Sequence, residues 1–86
     1  MPEKDQEFLE FVLTNLLDNP EAAKITRTID EKGILLEVSV PDNEMGKLIG
    51  KGGNTVQSIR NLLGAMGAKS SQRIYLKILE PEDKKV

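Results

Sequence analysis

The residues best suited to chemistry are the glycines of one short basic segment. The chain reads Ile49-Gly50-Lys51-Gly52-Gly53-Asn54 at this point. Glycine reaches backbone conformations with φ > 0 and lets a ligand come close to the main chain. Where such a loop leads into a helix, free N–H groups and the helix dipole favour bound phosphate, and Lys51 adds a full positive charge. The segment therefore predicts a phosphate-binding loop, with an oligonucleotide backbone as the ligand class.

Two known phosphate-binding motifs do not fit this segment. A P-loop would require glycine at position 45 and serine or threonine at position 52, where the chain has Met45 and Gly52. The dinucleotide-binding fingerprint begun at Gly50 would require a third glycine where the chain has Thr55. Two interpretations remain, a flexible turn between two helices or a GXXG loop that clamps a nucleic-acid backbone.

The composition excludes several classes of protein. The 86 residues allow one domain, which we expect to have its core at about 5–79. Cysteine and histidine are absent, so there is no thiolate nucleophile, disulfide, Cys/His zinc site or imidazole base. We expect no catalysis, no metal site and no cofactor. The charged first residues and the lack of an 18-residue apolar run predict a cytoplasmic protein that does not enter the membrane.

Charge is distributed unevenly along the chain. The net charge is −2, which by itself argues against binding to nucleic acid. Between Met45 and Leu79, however, there are six basic residues and no acidic one, whereas the remainder has six basic and fourteen acidic residues. Because local charge sets the field that a ligand meets, this segregation favours an anionic ligand near the glycine loop. Chance variation among surface charges is the alternative explanation.

Apolar periodicity predicts six elements. They are helices at 5–17, 42–49 and 54–66 and strands at 25–30, 34–40 and 73–79. The first helix ends before Asn19-Pro20, and a turn at 30–33 joins the first two strands as an antiparallel hairpin. Asp42 or Asn43 is expected to cap the second helix, and Gly67 to occupy the C-terminal cap of the third. Residues 80–86 are expected to form a flexible tail.

The order of these elements, α-β-β-α-α-β, predicts an α+β fold. Two helices cross from the second strand to the third, which makes those two strands parallel. We therefore expect a three-stranded mixed sheet with three helices on one face. The apolar arc of the first helix is wide, with Phe11 and Leu17 at its opposite edges. A helix set deeply into the core would explain that width, and a surface for a partner protein is the alternative.

The glycine segment resembles the signature of type II KH domains, which is Ile-Gly-x-x-Gly between two short helices. Here the signature is Ile49-Gly50-Lys51-Gly52-Gly53, and the apolar Val56 and Ile59 follow it. The order of elements also matches, over nearly the whole chain. A freestanding KH domain of this size is similar to the KhpA family of small bacterial RNA-binding proteins. The resemblance implies single-stranded RNA binding and an RNA chaperone role with a second KH protein, KhpB. It also implies a link to cell elongation and peptidoglycan homeostasis.

In such a groove, Gly50 to Gly53 would follow the phosphates and the bases would face an apolar floor. The candidate RNA-binding residues are Lys47, Ile49, Gly50, Lys51, Gly52, Gly53, Asn54, Thr55, Val56 and Arg60. Ile59 and either Ile74 or Leu76 are further candidates for the floor, although the apolar members of the set serve equally well as core. The aromatic residues of the chain are Phe8, Phe11 and Tyr75, and none lies in the signature, so base stacking on rings is not the expected mechanism. Whether Arg60, Arg73 and Lys77 face the groove is not decided by their spacing.

Two functions remain compatible with these features. The first is sequence-tolerant binding of single-stranded RNA, with single-stranded DNA as a second ligand. The alternative is a protein–protein interaction module that forms a homodimer, or a heterodimer with a KhpB-like KH protein. The acidic flanks and the apolar excess at Phe11 and Leu17 motivate this alternative.

Overall fold

The six predicted elements are present, in the predicted order, in a computed structural model that describes residues 4–79. The elements are α1 (Lys4–Leu16), β1 (Lys24–Asp30), β2 (Gly33–Ser39), α2 (Asp42–Ile49), α3 (Asn54–Lys69) and β3 (Ile74–Leu79). Short 3-10 turns add Pro20–Ala22 and Lys51–Gly53. The α-β-β-α-α-β prediction is confirmed. The predicted flexible tail at 80–86 lies outside the described residues.

The three strands form one mixed sheet with β2 in the centre. β1 pairs with β2 antiparallel, and β3 pairs with β2 parallel, as the helical crossover requires. The hairpin turn is held by Asp30, whose Oδ1 accepts hydrogen bonds from the backbone N–H groups of Lys32 at 2.8 Å and Gly33 at 3.2 Å. The predicted hairpin and mixed sheet are therefore both confirmed.

The core lies between the helices and one face of this sheet. Alternation along β2 buries the side chains at positions 34, 36 and 38, while those at 35, 37 and 39 remain half-buried on the other face. The buried apolar side chains are Leu9, Leu13, Leu17, Ile34, Leu36, Val38, Val40, Leu48, Val56, Ile59, Leu63 and Leu76. The opposite face of the sheet carries Thr26, Tyr75 and Lys77, all exposed.

The wide apolar arc of α1 is only partly accounted for by the core. Leu17, just past the end of the helix, is 6% exposed and belongs to the core, but Phe11 is 68% exposed. The expectation that the whole arc is set into the core is therefore wrong at Phe11, whose ring lies in solvent. A helix has one face toward the sheet, so residues at the far edge of a wide arc stay outside.

Two predicted helix caps differ from the structure. Pro41, rather than Asp42 or Asn43, is the N-cap of α2, and no side chain caps that end. α3 continues past Gly67 to Lys69, and the backbone turns through Ser71, at φ 60°. Gly67 is buried, and a Cβ there would collide with the carbonyl oxygen of Gln72. The glycine therefore permits close contact between α3 and the segment leading into β3, and it does not end the helix.

Candidate nucleic-acid interface

The glycine loop joins α2 to α3 through three residues with positive φ. Gly50 leaves α2 with φ 78°, and its N–H donates to the carbonyl of Gly46 at 2.8 Å. Gly52 and Gly53 follow with φ 63° and 79°. The N–H of Gly53 donates back to the carbonyl of Gly50 at 3.3 Å, which closes a single turn. Residues with a Cβ rarely adopt these backbone conformations, which accounts for glycine at each of the three positions.

The loop is packed at one end and open at the other. A Cβ on Gly50 would lie 2.6 Å from Cβ of Thr55 and 2.9 Å from its backbone N, closer than real atoms approach. Cβ atoms added to Gly52 or Gly53 would have no atom within 4 Å. Thr55 thus supports the loop from beneath at Gly50, while the main chain at Gly52 and Gly53 is accessible to a ligand.

Positive potential concentrates where the loop enters α3. Gly53 is the N-cap and offers no side chain to the first N–H groups of this 16-residue helix, and its first turn contains no acidic residue. Lys51 is exposed and makes no ion pair with another described residue. A helix N-terminus with free N–H groups attracts anions, so this end of α3 and Lys51 act on the same region of space.

Lys47, the predicted cation at the rim, is held by acidic side chains. Its Nζ lies 2.7 Å from Oδ2 of Asp18 and 3.6 Å from Oε1 of Glu44. The hydrogen bond to Asp18 raises the pKa of Lys47 above its ordinary value, with smaller contributions from the charges of both carboxylates. Lys47 is 42% exposed, and because two carboxylates lie beside it, it attracts an added anion less strongly than the unpaired Lys51 does.

A buried carboxylate that the sequence did not single out positions α2. Glu44 is 1% exposed, and its oxygens accept the backbone N–H groups of Asp18 at 3.3 Å and Asn19 at 2.6 Å. These N–H groups lie just past the end of α1. Glu44 therefore joins the end of α1 to the start of α2, the helix that leads into the loop. A single glutamate in a short helix gives no indication in the sequence that it contacts a backbone N–H group 25 residues away.

The apolar candidates divide into core and surface. Val56 and Ile59 are buried in the core, as is Leu76, while Ile49 and Ile74 are half-buried and pack against it. Of the two roles that the sequence left open for Val56 and Ile59, the structure shows the core. Of the polar candidates that begin α3, Asn54 is exposed and Thr55 is half-buried under Gly50.

Arg60 reaches from α3 to the strand at the edge of the sheet. Its Nε donates to the carbonyl oxygen of Leu76 at 3.4 Å. This contact brings an exposed cation beside β3, on the side of the strand that faces away from β2. Arg73, Tyr75 and Lys77 are also exposed, but they lie on the solvent face of the sheet, opposite the buried Leu76.

Residues 4–79 contain neither a metal site nor a membrane span. Within this range, no cluster of three or more acidic side chains is arranged to hold a metal ion. None of its helices is long and apolar enough to cross a membrane.

Comparison with known proteins identifies the family. A family model for the KH domain of KhpA and KhpB matches residues 6–78. The RNA-binding protein KhpA of Borreliella burgdorferi is 38% identical over 74 residues, which is 86% of this chain and 90% of that protein. Those of Chlamydia pneumoniae and Aquifex aeolicus are 37% and 35% identical, each over 87% of this chain and 96% and 95% of theirs. The chain, with its glycine loop between α2 and α3, belongs to the KhpA/KhpB family of KH domains.

Proposed function

We propose that this protein binds single-stranded RNA, with Gly50 to Gly53 holding the phosphate backbone. The observation that carries the proposal is the open main chain at Gly52 and Gly53, beside the exposed Lys51 and the start of α3, which no side chain caps. Relatives that cover most of the chain are named RNA-binding proteins. The family consists of binding proteins rather than enzymes.

The proposal assigns distinct roles to the candidate residues. Backbone N–H groups of Lys51 and Gly52 contact phosphate oxygens, and Lys51 also supplies the free charge. The N–H groups of Gly50, Gly53 and Asn54 already donate to backbone carbonyls of Gly46, Gly50 and Lys51. Ile49, half-buried beside the loop, is the apolar surface on which a base rests. Arg60 lies farther along the groove, where its guanidinium donors can reach a base edge or a phosphate. Lys47, tied to Asp18 and Glu44, contributes less than Lys51.

A double charge reversal in the loop tests the proposal. The variant Lys51→Asp with Gly52→Asp places two carboxylates where phosphate would lie, and we expect RNA binding to be lost while the fold is retained. The measurement is a titration of isotope-labelled protein with a four-nucleotide RNA and its DNA equivalent, following backbone amide shifts at two salt concentrations. Salt-sensitive shifts in the wild type should centre on Gly50 to Thr55, and the ratio of RNA to DNA affinity identifies the preferred ligand.

A matched control separates loop chemistry from overall charge. Lys32→Asp with Thr14→Asp changes the net charge by the same amount at two exposed positions, in the hairpin turn and on α1. This variant should retain most of the RNA affinity. If the loop variant were folded and bound RNA as tightly as the wild type, the assignment of the loop would be wrong.

A second candidate function is protein association, and the exposure of Phe11 favours it. Phe11 is 68% exposed on α1, and aromatic residues are enriched at protein–protein interfaces relative to the rest of the surface. The partner we propose is a second copy of this chain or a KhpB-like KH protein. Light scattering on the wild type and on Phe11→Glu tests it. A dimer that dissociates in the variant supports this surface, and a monomer in both cases removes it.

We propose RNA chaperoning, the role that the resemblance to the KhpA family implies, as the physiological role. One KH groove contacts about four nucleotides, so useful selectivity requires a second module from a dimer or a partner. We extend the proposal to post-transcriptional regulation together with a KhpB-like protein, linked to cell elongation and peptidoglycan homeostasis. A strain lacking the protein should show altered cell length, and the loop variant should fail to restore it.

A further inference from the structure

The edge strand β3 presents two different surfaces. Ile74, Leu76 and Ile78 point toward the helices, while Tyr75 and Lys77 point to the solvent face of the sheet. Among the described strands, β3 pairs with β2 alone, so its other edge is open. Backbone carbonyls point alternately to the two sides of a strand, and the carbonyl of Arg73 accepts from Ile34 of β2. The carbonyl of Leu76, three residues later, therefore points away from β2, and Arg60 contacts it at the open edge.

Tyr75 offers a stacking surface outside the groove. Its side chain is 44% exposed, in a cross-strand row with the half-buried Leu35 and the exposed Thr28. All three lie on the solvent face of the sheet, opposite the face that packs against the helices. An aromatic ring held in this way by a strand can stack on any base, since every base has a π-face.

Two cations flank the ring. Arg73 and Lys77 lie two residues before and after Tyr75, both are exposed, and neither makes an ion pair with another described residue. Glu37 lies opposite Lys77 in the register of β2 and β3, but the two side chains form no ion pair. The alternation of basic and aromatic side chains along β3 is complementary to the phosphates and bases of single-stranded RNA.

Basic residues lie in the loop, on α3 beside β3, and on the solvent face of β3. Lys51 lies in the loop, Arg60 lies between the loop and the edge of β3, and Arg73 and Lys77 lie just beyond that edge. Only β3 separates the two faces of the sheet at this edge. No acidic residue occurs between Met45 and Leu79. An RNA chain that leaves the groove beside Arg60 would therefore meet cations on both faces of β3, with the carboxylate of Glu37 on the neighbouring strand opposite Lys77.

We propose that single-stranded RNA longer than the groove continues around the free edge of β3, stacks a base on Tyr75 and places phosphates near Arg73 and Lys77. This inference rests on the proposed RNA binding at the glycine loop and extends it by a second contact. It assigns the solvent face of β3 to nucleic acid, and it predicts that affinity rises once the RNA is longer than the groove.

The fluorescence of the protein gives a direct test. Tyr75 is the one tyrosine of the chain and there is no tryptophan, so tyrosine emission reports on this ring alone. We expect oligouridylate of eight nucleotides to quench the emission and oligouridylate of four nucleotides to bind with little quenching. Binding of the eight-nucleotide RNA with unchanged emission, after correction for absorbance, would overturn the inference.

RNA binding by substituted proteins is the second test of the inference. Tyr75→Ala should weaken binding of the eight-nucleotide RNA at least about fivefold, the lower end of what one stacked base contributes, and leave the four-nucleotide RNA unaffected. Tyr75→Phe keeps the ring and should bind like the wild type. Lys77→Gln should weaken binding of the longer RNA more than Lys24→Gln, an exposed cation on the same face but at the opposite edge of the sheet.

Each outcome decides between the two proposals. Loss of four-nucleotide binding in the loop variant tests the loop alone, and loss of the length dependence tests Tyr75 alone. If Tyr75→Ala is folded and binds both lengths like the wild type, the inference fails and the loop proposal stands. If Tyr75→Ala changes the oligomeric state but not RNA affinity, the surface belongs to a protein contact. If Tyr75→Ala does not fold, quenching in the wild type and binding by Lys77→Gln decide whether RNA reaches this face.

Discussion

The glycines of the loop meet two separate requirements. Gly50 needs both a positive φ and the absence of a Cβ, because Thr55 occupies the space beside it. Gly52 and Gly53 need only the positive φ, since the space around them is open. The motif shows that glycine occurs at these positions, but the reason differs from one position to the next and depends on what lies nearby.

Alanine substitutions should separate these requirements. Gly52→Ala should lower the free energy of unfolding by about 1 kcal/mol, the cost of a left-handed residue with a Cβ. Gly50→Ala should cost more than about 2 kcal/mol, because the collision with Thr55 is added to the same strain. Gly46→Ala, within α2 and with open space, is the control and should be neutral or stabilising. Equal costs in urea denaturation for Gly50→Ala and Gly52→Ala would contradict this account.

The raised pKa of Lys47 makes its ion pair sensitive to alkaline pH. A lysine whose pKa is higher in the folded state contributes stability that is fully present below its unfolded value, near 10.5, and is lost as pH rises through the folded value. The difference in unfolding free energy between wild type and Lys47→Met should therefore be constant near neutral pH and shrink at alkaline pH. The difference should be small, because the pair is exposed. In the Asp18→Asn background the pH dependence should be much reduced, and an equal dependence there would assign it to another group.

At the scale of elements, the position of α2 depends on one buried carboxylate. Glu44 accepts two backbone N–H groups past the end of α1 and so connects two helices that lie far apart in sequence. Both hydrogen bonds are partly buried, and a bond to a charged acceptor contributes more than one between neutral groups. The glycine loop follows directly from α2, so this contact also influences where the loop is held.

Removing the carboxylate should therefore destabilise the fold. Glu44→Ala should lower the free energy of unfolding by about 2–3 kcal/mol, because two N–H groups lose their acceptor. Glu44→Gln keeps one oxygen acceptor and should cost less. Asn43→Ala, at the exposed neighbouring position, should have a small effect. Chemical denaturation of the three variants is the measurement, and similar costs for Glu44→Ala and Asn43→Ala would show that the contact contributes little.

For the molecule as a whole, we expect local charge rather than net charge to govern RNA binding. The chain carries a net charge of −2, yet the region from the loop to the last strand contains cations and no acid. Because phosphate contacts release counterions, the affinity for single-stranded RNA should fall with salt, with a slope of about −0.7 for each phosphate neutralised.

Salt titrations of two variants measure this contribution. Lys51→Gln should reduce the slope of log affinity against log salt concentration by about 0.7, the value for one phosphate contact on a single strand. Glu7→Gln also changes the net charge by one unit, in the opposite direction, at an exposed position of α1. It should leave the slope unchanged. An affinity that does not vary with salt would show that phosphate is not the main contact.

The elements, their order, the hairpin and the glycine loop can be predicted from the residues, because they follow from local rules of periodicity, turn chemistry and backbone freedom. The tertiary structure was needed to show which side of a wide apolar arc is covered, so that Leu17 is buried and Phe11 is not. It also decided that Lys47 pairs with Asp18 and that Arg60 reaches Leu76. Such contacts join residues far apart in the chain, and their geometry depends on how the helices lie against the sheet, which no local pattern encodes.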